Sequence, residues 1–136
     1  MRRIGIIDFQ DAVIGHPAYD LVSLLQDARQ IISEDLEMEL FEHYIRIRMI
    51  SNAKFDLAGF AQAYAVLGAQ RVTKILGIFV RLDKRDGKPQ YLRHLPQLRT
   101  YLKRNLEHPA LAVLKAWFDQ NSPSLLAPDS AIGGRA

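Results

Sequence analysis

The sequence predicts a mainly α-helical chain, one short amino-terminal strand or hairpin arm followed by about five helices. Two observations carry that reading: apolar residues recur at helical spacing over most of the 136 residues, and prolines stand where helices begin. The exception is Arg3-Ile4-Gly5-Ile6-Ile7, a short β-branched run that ends at an acid and reads as the strand. No other segment looks like a strong partner for it. An isolated hairpin is only marginally stable in water, so this strand is expected to pair with chain that lies outside the sequence.

The elements follow in order. Gly15-His16-Pro17 marks a turn, after which Leu21, Leu24, Leu25, Ala28, Ile31 and Ile32 recur at helical spacing. Ser33 is placed to cap a second helix, with Glu34, Asp35 and Glu37 near the positive end of its dipole. Its buried face is expected to be Leu36, Leu40, Phe41, Tyr44, Ile45 and Met49. Beyond Ser51-Asn52, Asp56 can cap the longest element, in which Phe60, Tyr64, Val72, Leu76 and Phe79 keep phase over about 25 residues, a rod of about 37 Å. Gly59, Gly68 and Gly77 lie inside it at about 1 kcal/mol each against alanine, and close helix packing is the expected reason.

The segment from Asp83 to Pro89 reads as a loop. Pro96 fits the first turn of a helix carrying Leu98, Leu102 and Leu106, and Pro109 the first turn of another carrying Leu111, Leu114, Trp117 and Phe118. Trp117 is expected in the core. From Asn121 onward Ser, Pro, Ala and Gly predominate, so the domain is expected to span 1–121 and a flexible tail 122–136.

Composition sets the bounds on function. A chain that is 49% hydrophobic and 24% charged is ordinary for a soluble globular domain. There is no cysteine, which excludes disulfides and thiolate metal sites, and His16, His43, His94 and His108 lie too far apart to suggest zinc. The apolar run after Met1-Arg2-Arg3 stops at Asp8, too short for a signal-peptide core, and no stretch reads as a membrane span. The expected location is the cytoplasm, with no membrane partner.

The net charge of +3 is unevenly spread: ten Lys/Arg against two Asp from Arg71 to Arg104, and six acids against Arg29 from Asp27 to Glu42. The basic stretch reads as a solvated face or as a face toward an anionic partner. A helical module for nucleic acid is the weaker reading, because Tyr64, Phe79, Tyr91 and Tyr101 sit at core-like phases rather than forming a stacking platform.

The chemistry concentrates in GIIDFQDAVIGHPAYDLVSLL, residues 5–25. A carboxylate at the end of a strand is held by a rigid element and suits a hard cation. Magnesium takes oxygen ligands, usually one or two carboxylates, and keeps waters and substrate phosphates in its shell. Asp8 is the candidate ligand. Asp8, Asp11 and Asp20 are equally the residues that turns and caps use, so the pattern alone leaves both readings open.

The whole string resembles the metal-binding segment of the aminoglycoside phosphotransferase family, the small-molecule branch of the protein-kinase-like fold. There a strand ends in Ile-Asp-Phe or Ile-Asp-Trp, and a second Asp opens the next helix. The wording Asp8-Phe9-Gln10-Asp11-Ala12 and the later stretch at residues 70–111 resemble most the cell-wall-recycling kinases acting on the anomeric hydroxyl of N-acetylmuramate and N-acetylglucosamine. The resemblance covers roughly residues 3–118. It implies ATP and Mg2+ as cofactors, a small sugar as substrate, Asp8 on the metal and Asp20 bracing the catalytic loop by hydrogen bonding. It further makes Asp11, Arg71 and Lys74 candidates for substrate contact, the two cations toward an anionic sugar or toward solvent.

Gln10 replaces the family-wide glycine of the protein kinases, so their mobile Asp-Phe-Gly flip is not expected. No His-x-Asp-x-x-x-x-Asn and no Gly-rich phosphate loop occur in the chain. The chain is therefore expected to be the carboxy-terminal lobe portion of such a kinase, inactive without the rest. An aminoglycoside or choline is the alternative substrate within the same fold. Aminoglycosides are polycations and would want an acidic pocket, whereas the helices after Asp56 are basic.

Overall fold

In a computed structural model, residues 13–127 are described. The expected strand at 3–7 lies outside them, and the described residues hold helices and no strand. They form α1 (Ala18–Leu25), α2 (Glu34–Ser51), α3 (Leu57–Asp86), α4 (Leu95–Leu106), α5 (Ala112–Asn121) and α6 (Pro123–Leu126), with 3-10 turns at Pro89–His94 and Pro109–Leu111.

The spine is α3, capped at its start by the Asp56 side chain, which accepts a hydrogen bond from the Gly59 N–H at 2.9 Å. Its carboxy-terminal half packs against α4, burying Val72, Leu98, Tyr101 and Leu102 completely. Its amino-terminal half gathers Phe60 and Tyr64 with Val22 and Leu25 of α1 and Ile45 of α2 into a second apolar cluster. Each fully buried Leu or Val contributes roughly 1.5–3 kcal/mol, so the leucine phase read at Leu98, Leu102 and Leu106 is a main support of the fold.

Five expectations are corrected. First, α1 ends at Leu25 instead of running on toward Ile32: Asp27 Oδ1 accepts from the N–H groups of Arg29 and Gln30 at 2.6 and 3.2 Å, a side-chain turn that competes with the helix. Ile31 is consequently exposed. Second, α3 runs through Asp83–Asp86, expected as loop, and stops only where Gly87 takes φ +62°. The positively directed backbone there suits glycine, and its N–H caps the carbonyl of Asp83.

Third, the buried residues of α2 are Glu37 and Ile45, with Phe41 and Tyr44 half-buried, while Leu36, Leu40 and Met49 are exposed. The stripe keeps Phe41, Tyr44 and Ile45 and narrows around them, with Glu37, drawn inward by polar partners, in the place expected of Leu36 and Leu40. Fourth, Trp117 is 52% exposed: Phe118 of α5 and Leu111 of the 3-10 turn before it, seven residues apart, are the buried ones, and Trp117 only meets the Phe118 ring edge-on at 5.2 Å. Fifth, the tail expected from residue 122 is docked as far as Ala127. Arg99 donates to the carbonyls of Ser124 and Leu125, both at 2.8 Å, and Lys103 to that of Ala127 at 3.0 Å. Cations of α4 thus satisfy the end carbonyls of α6.

By length and composition α3 also passes for a membrane-crossing helix, with a mean hydropathy of 1.3 over its most apolar 18 residues, against the expectation that no stretch would. Its apolar stripe is the one that α1 and α4 cover.

Candidate functional site

The described end of the acidic motif forms the mouth of a cavity of about 550 Å3, lined by Val13, Gly15, His16, Tyr19, Asp20 and Leu67. Pro17 offers no side-chain cap to α1, and His16 takes that part through Nδ1, which accepts from the Ala18 N–H at 3.2 Å. Asp20 lies in the first turn of α1, where the dipole favours a carboxylate, and is exposed toward the cavity. No partner for its carboxylate lies among the described residues. Asp8 and Asp11 lie outside the described residues.

Among the described residues no group of three His, Asp or Glu side chains is placed to hold a metal. Magnesium bound through nucleotide phosphates needs only one or two protein carboxylates. The carboxylate of Asp20 is open to the cavity that it lines with Val13.

The two candidate cations stand elsewhere. Arg71 Nη1 donates to the carbonyl oxygen of Gln26 at 3.1 Å, so it caps the carboxy-terminal end of α1, about 9 Å along the helix from Asp20, and does not line that cavity. Lys74 is exposed. Much of the remaining basic stretch is also occupied internally: Arg85 pairs with Asp86, Arg99 and Lys103 hold α6, and Arg104 meets Glu37. Arg85 holds the Asp86 carboxyl below its ordinary range through their hydrogen bond.

The described residues hold a second constellation that sequence reasoning missed. At the far end of α1, Glu37 Oε1 accepts from Gln26 Nε2 at 2.8 Å and from the Tyr64 hydroxyl at 2.9 Å, and Oε2 accepts from Arg104 Nη1 at 2.7 Å. Asn105 and Gln26 exchange amide hydrogen bonds at 2.8 and 3.1 Å. Four helices or their ends meet there, and Gln26, Glu37 and Asn105 are each buried. Burial first, and then the Glu37 carboxylate, pushes the Tyr64 phenol well above its ordinary pKa. Above this knot opens a cavity of about 370 Å3, walled by Met38, Phe41 and Ala61 and rimmed by Glu34, Glu107 and His108. The signal was present in part: Glu37 stands in phase with Phe41, Tyr44 and Ile45.

Chemically, the two places differ. The carboxylate, the aromatic hydroxyl and the guanidinium of the knot are paired with one another, which makes it a structural junction. The mouth at Asp20 has an unshared carboxylate beside open space, which is what a ligand site requires.

Comparison with known proteins bears on the mouth. Residues 1–59, which contain Asp8, Asp11 and Asp20, match the model of the Phosphotransferase enzyme family. The chain is similar to an N-acetylmuramate/N-acetylglucosamine kinase of Caulobacter vibrioides, 46% identical over 121 residues, which are 89% of this chain and 32% of that protein. It is 38% identical over 104 residues to one of Neisseria meningitidis serogroup B, covering 75% of this chain and 31% of that protein. With one of Pseudomonas putida it shares 35% over 115 residues, 81% of this chain and 33% of that protein. The chain thus spans about a third of the length of the curated relatives it matches. The resemblance read from residues 5–25, and its restriction to a carboxy-terminal portion, are borne out. The described helices agree with the mainly helical fold class read from the sequence.

Proposed function

We propose that this chain, a portion of a phosphotransferase of the kinase-like fold, is the metal-bearing and helical part of an ATP-dependent kinase acting on N-acetylmuramate and N-acetylglucosamine. The observation that supports this most is the coincidence of the Asp8–Asp20 motif with the segment matching the Phosphotransferase enzyme family, in a chain similar over 89% of its length to a kinase of that name.

In this reading Asp8 holds magnesium, which supplies positive charge against the phosphates when bound. Asp20, fixed in the first turn of α1, braces the loop that carries the base. That base is a carboxylate outside this chain; it accepts the proton of the anomeric hydroxyl while the sugar oxygen attacks the γ-phosphorus and ADP departs. Asp11 lies three residues beyond Asp8 and is assigned to the sugar or metal side, and Lys74 to an anionic group of the sugar. Such a kinase works where ATP is held, in the cytoplasm, and its partner for activity is the amino-terminal remainder of the protein.

The test is to extend the coding frame upstream of Met1 and assay the longer protein for ATP-dependent phosphorylation of the two sugars. Asp8→Asn is expected to lower kcat about 100-fold or more. Unchanged turnover in that variant would sink the assignment of Asp8, and turnover of an aminoglycoside or choline in place of the sugars would overturn the substrate.

A further inference from the structure

The second helix carries an apolar seam that nothing in the described fold covers. Leu36, Leu40, His43, Ile47 and Ile50 are all exposed, with Ile47 at 52% and Ile50 at 87%. Their spacings are 4, 3, 4 and 3 residues, which place them within an arc of about 80° on the helix. That is a heptad a/d seam, narrower than the stripe by which a helix covers a globular core, and α2 has such a stripe separately at Glu37, Phe41, Tyr44 and Ile45.

We propose that this seam pairs with the same seam of a second copy of the chain, the two α2 helices running antiparallel. The occupant follows from the flanking charges. Glu39 and Arg46 hold the same heptad position beside the seam, and both are exposed. In an antiparallel pair that position faces its own counterpart, so Glu39 of one copy meets Arg46 of the other, twice, by the two-fold symmetry of such an interface. A parallel pair would set Glu39 against Tyr44 and Arg46 against Ser51, leaving the charges unmatched. Among the described residues Arg46 meets Glu42 at 3.9 Å, with both side chains 63% exposed, a weak hold that leaves the guanidinium available.

Length agrees with charge. The register that matches Glu39 to Arg46 sets Leu36 against Ile47 and Leu40 against His43, and aligns Ser33 with Ile50. It therefore overlaps the 18 residues of α2 from end to end. A register chosen by charge alone need not have done so.

The chain has no cysteine, so single thiols report on the pairing directly. Leu36→Cys and Ile47→Cys variants of the 136-residue chain are mixed and mildly oxidised. The mixed disulfide dimer is expected in several-fold excess over the dimer of either variant alone. Equal linking in each variant by itself would mean parallel pairing or unspecific association, and would overturn the proposal. In sedimentation equilibrium the unmodified chain is expected to dimerise, Arg46→Glu to weaken the dimer about tenfold, and Glu39→Arg added to Arg46→Glu to restore it. A monomer at every concentration, or an indifferent Arg46→Glu, contradicts the pairing. So does an amino-terminally extended protein that is monomeric with the Leu36→Cys thiol protected, because the remainder of the chain would then be the occupant.

Discussion

Where α4 meets the carboxy-terminal half of α3, Leu98, Tyr101 and Leu102 are sealed from solvent among apolar neighbours. Further along the same helix, Arg104 meets Glu37 and Asn105 meets Gln26, and Tyr64 joins them through Glu37, in hydrogen bonds of 2.7–3.1 Å. The apolar seam gains from area alone and tolerates small displacements. The polar knot gains little net energy over water but fixes angles and distances, because each group left unpaired inside pays its full desolvation. The first region therefore supplies stability, and the second fixes how the end of α1 and the start of α2 are set against α4.

The largest effect that separates the two is at Glu37. Glu37→Ala leaves Arg104, whose side chain is only 22% exposed, facing a vacancy, and is expected to cost about 3–5 kcal/mol in urea unfolding. Glu37→Met combined with Arg104→Met removes both charges and should recover part of that loss, the Tyr64 hydroxyl and Gln26 amide still lacking their acceptor. Leu102→Ala is expected to cost about 2–5 kcal/mol with no such rescue by a second change. A double variant as unstable as Glu37→Ala alone would show that the stranded Arg104 charge is not what the single variant suffers from.

A smaller effect sharpens the same contrast by pH. The phenol of Tyr64 titrates above its ordinary 10.0 in the folded chain, through burial first and the Glu37 carboxylate second. The folded state therefore keeps a proton that the unfolded chain releases. This contribution is fully present below pH 10 and falls as pH rises above it, by at most about 1.4 kcal/mol per unit. Tyr64→Phe is expected to cost about 1–2 kcal/mol near neutral pH, where Glu37 loses a donor, and the gap between the two proteins should narrow above pH 10. A gap constant to pH 11 would mean that the phenol is not held protonated by the fold.

The apolar region was largely legible in the sequence and the knot was not, for one physical reason. Leu98, Leu102 and Leu106 announce their face because burial is a property each residue carries alone, and period suffices to collect them. Glu37 announces nothing, since a carboxylate goes inside only if Tyr64, Gln26 and Arg104 arrive from three other places in the chain. Reading it as a dipole-favoured surface acid left the face centred on Phe41, Tyr44 and Ile45 but placed Leu36 and Leu40 in a core they do not enter. The hold on Arg71 was illegible in the same way, since its acceptor is a backbone carbonyl 45 positions earlier. Of the candidate site, residues 5–25 were legible as a motif, and the structure adds the cavity that Asp20, His16 and Leu67 share.

The glycines of α3 give the finest division between the two regions. Sequence treats Gly68 and Gly77 alike, two helix-interior glycines nine residues apart, each a weaker helix former than alanine and each expected to mark close helix packing. At Gly77 a Cβ would meet nothing within 4 Å, and Gly77→Ala is expected to stabilise the chain by about 0.5–1 kcal/mol. At Gly68 the same Cβ would stand 2.6 Å from Asn105 Nδ2. A free amide would swing aside, but this one is held on both sides by Gln26, so the methyl group can enter only by breaking those bonds. Gly68→Ala is therefore expected to destabilise by about 1 kcal/mol, the helix gain being outweighed by the two lost bonds. Thermal melts of the two single variants decide it by sign. Stabilisation by both would mean that the amide pair yields freely, and the knot would then be a soft contact between helices that the leucine seam alone holds in place.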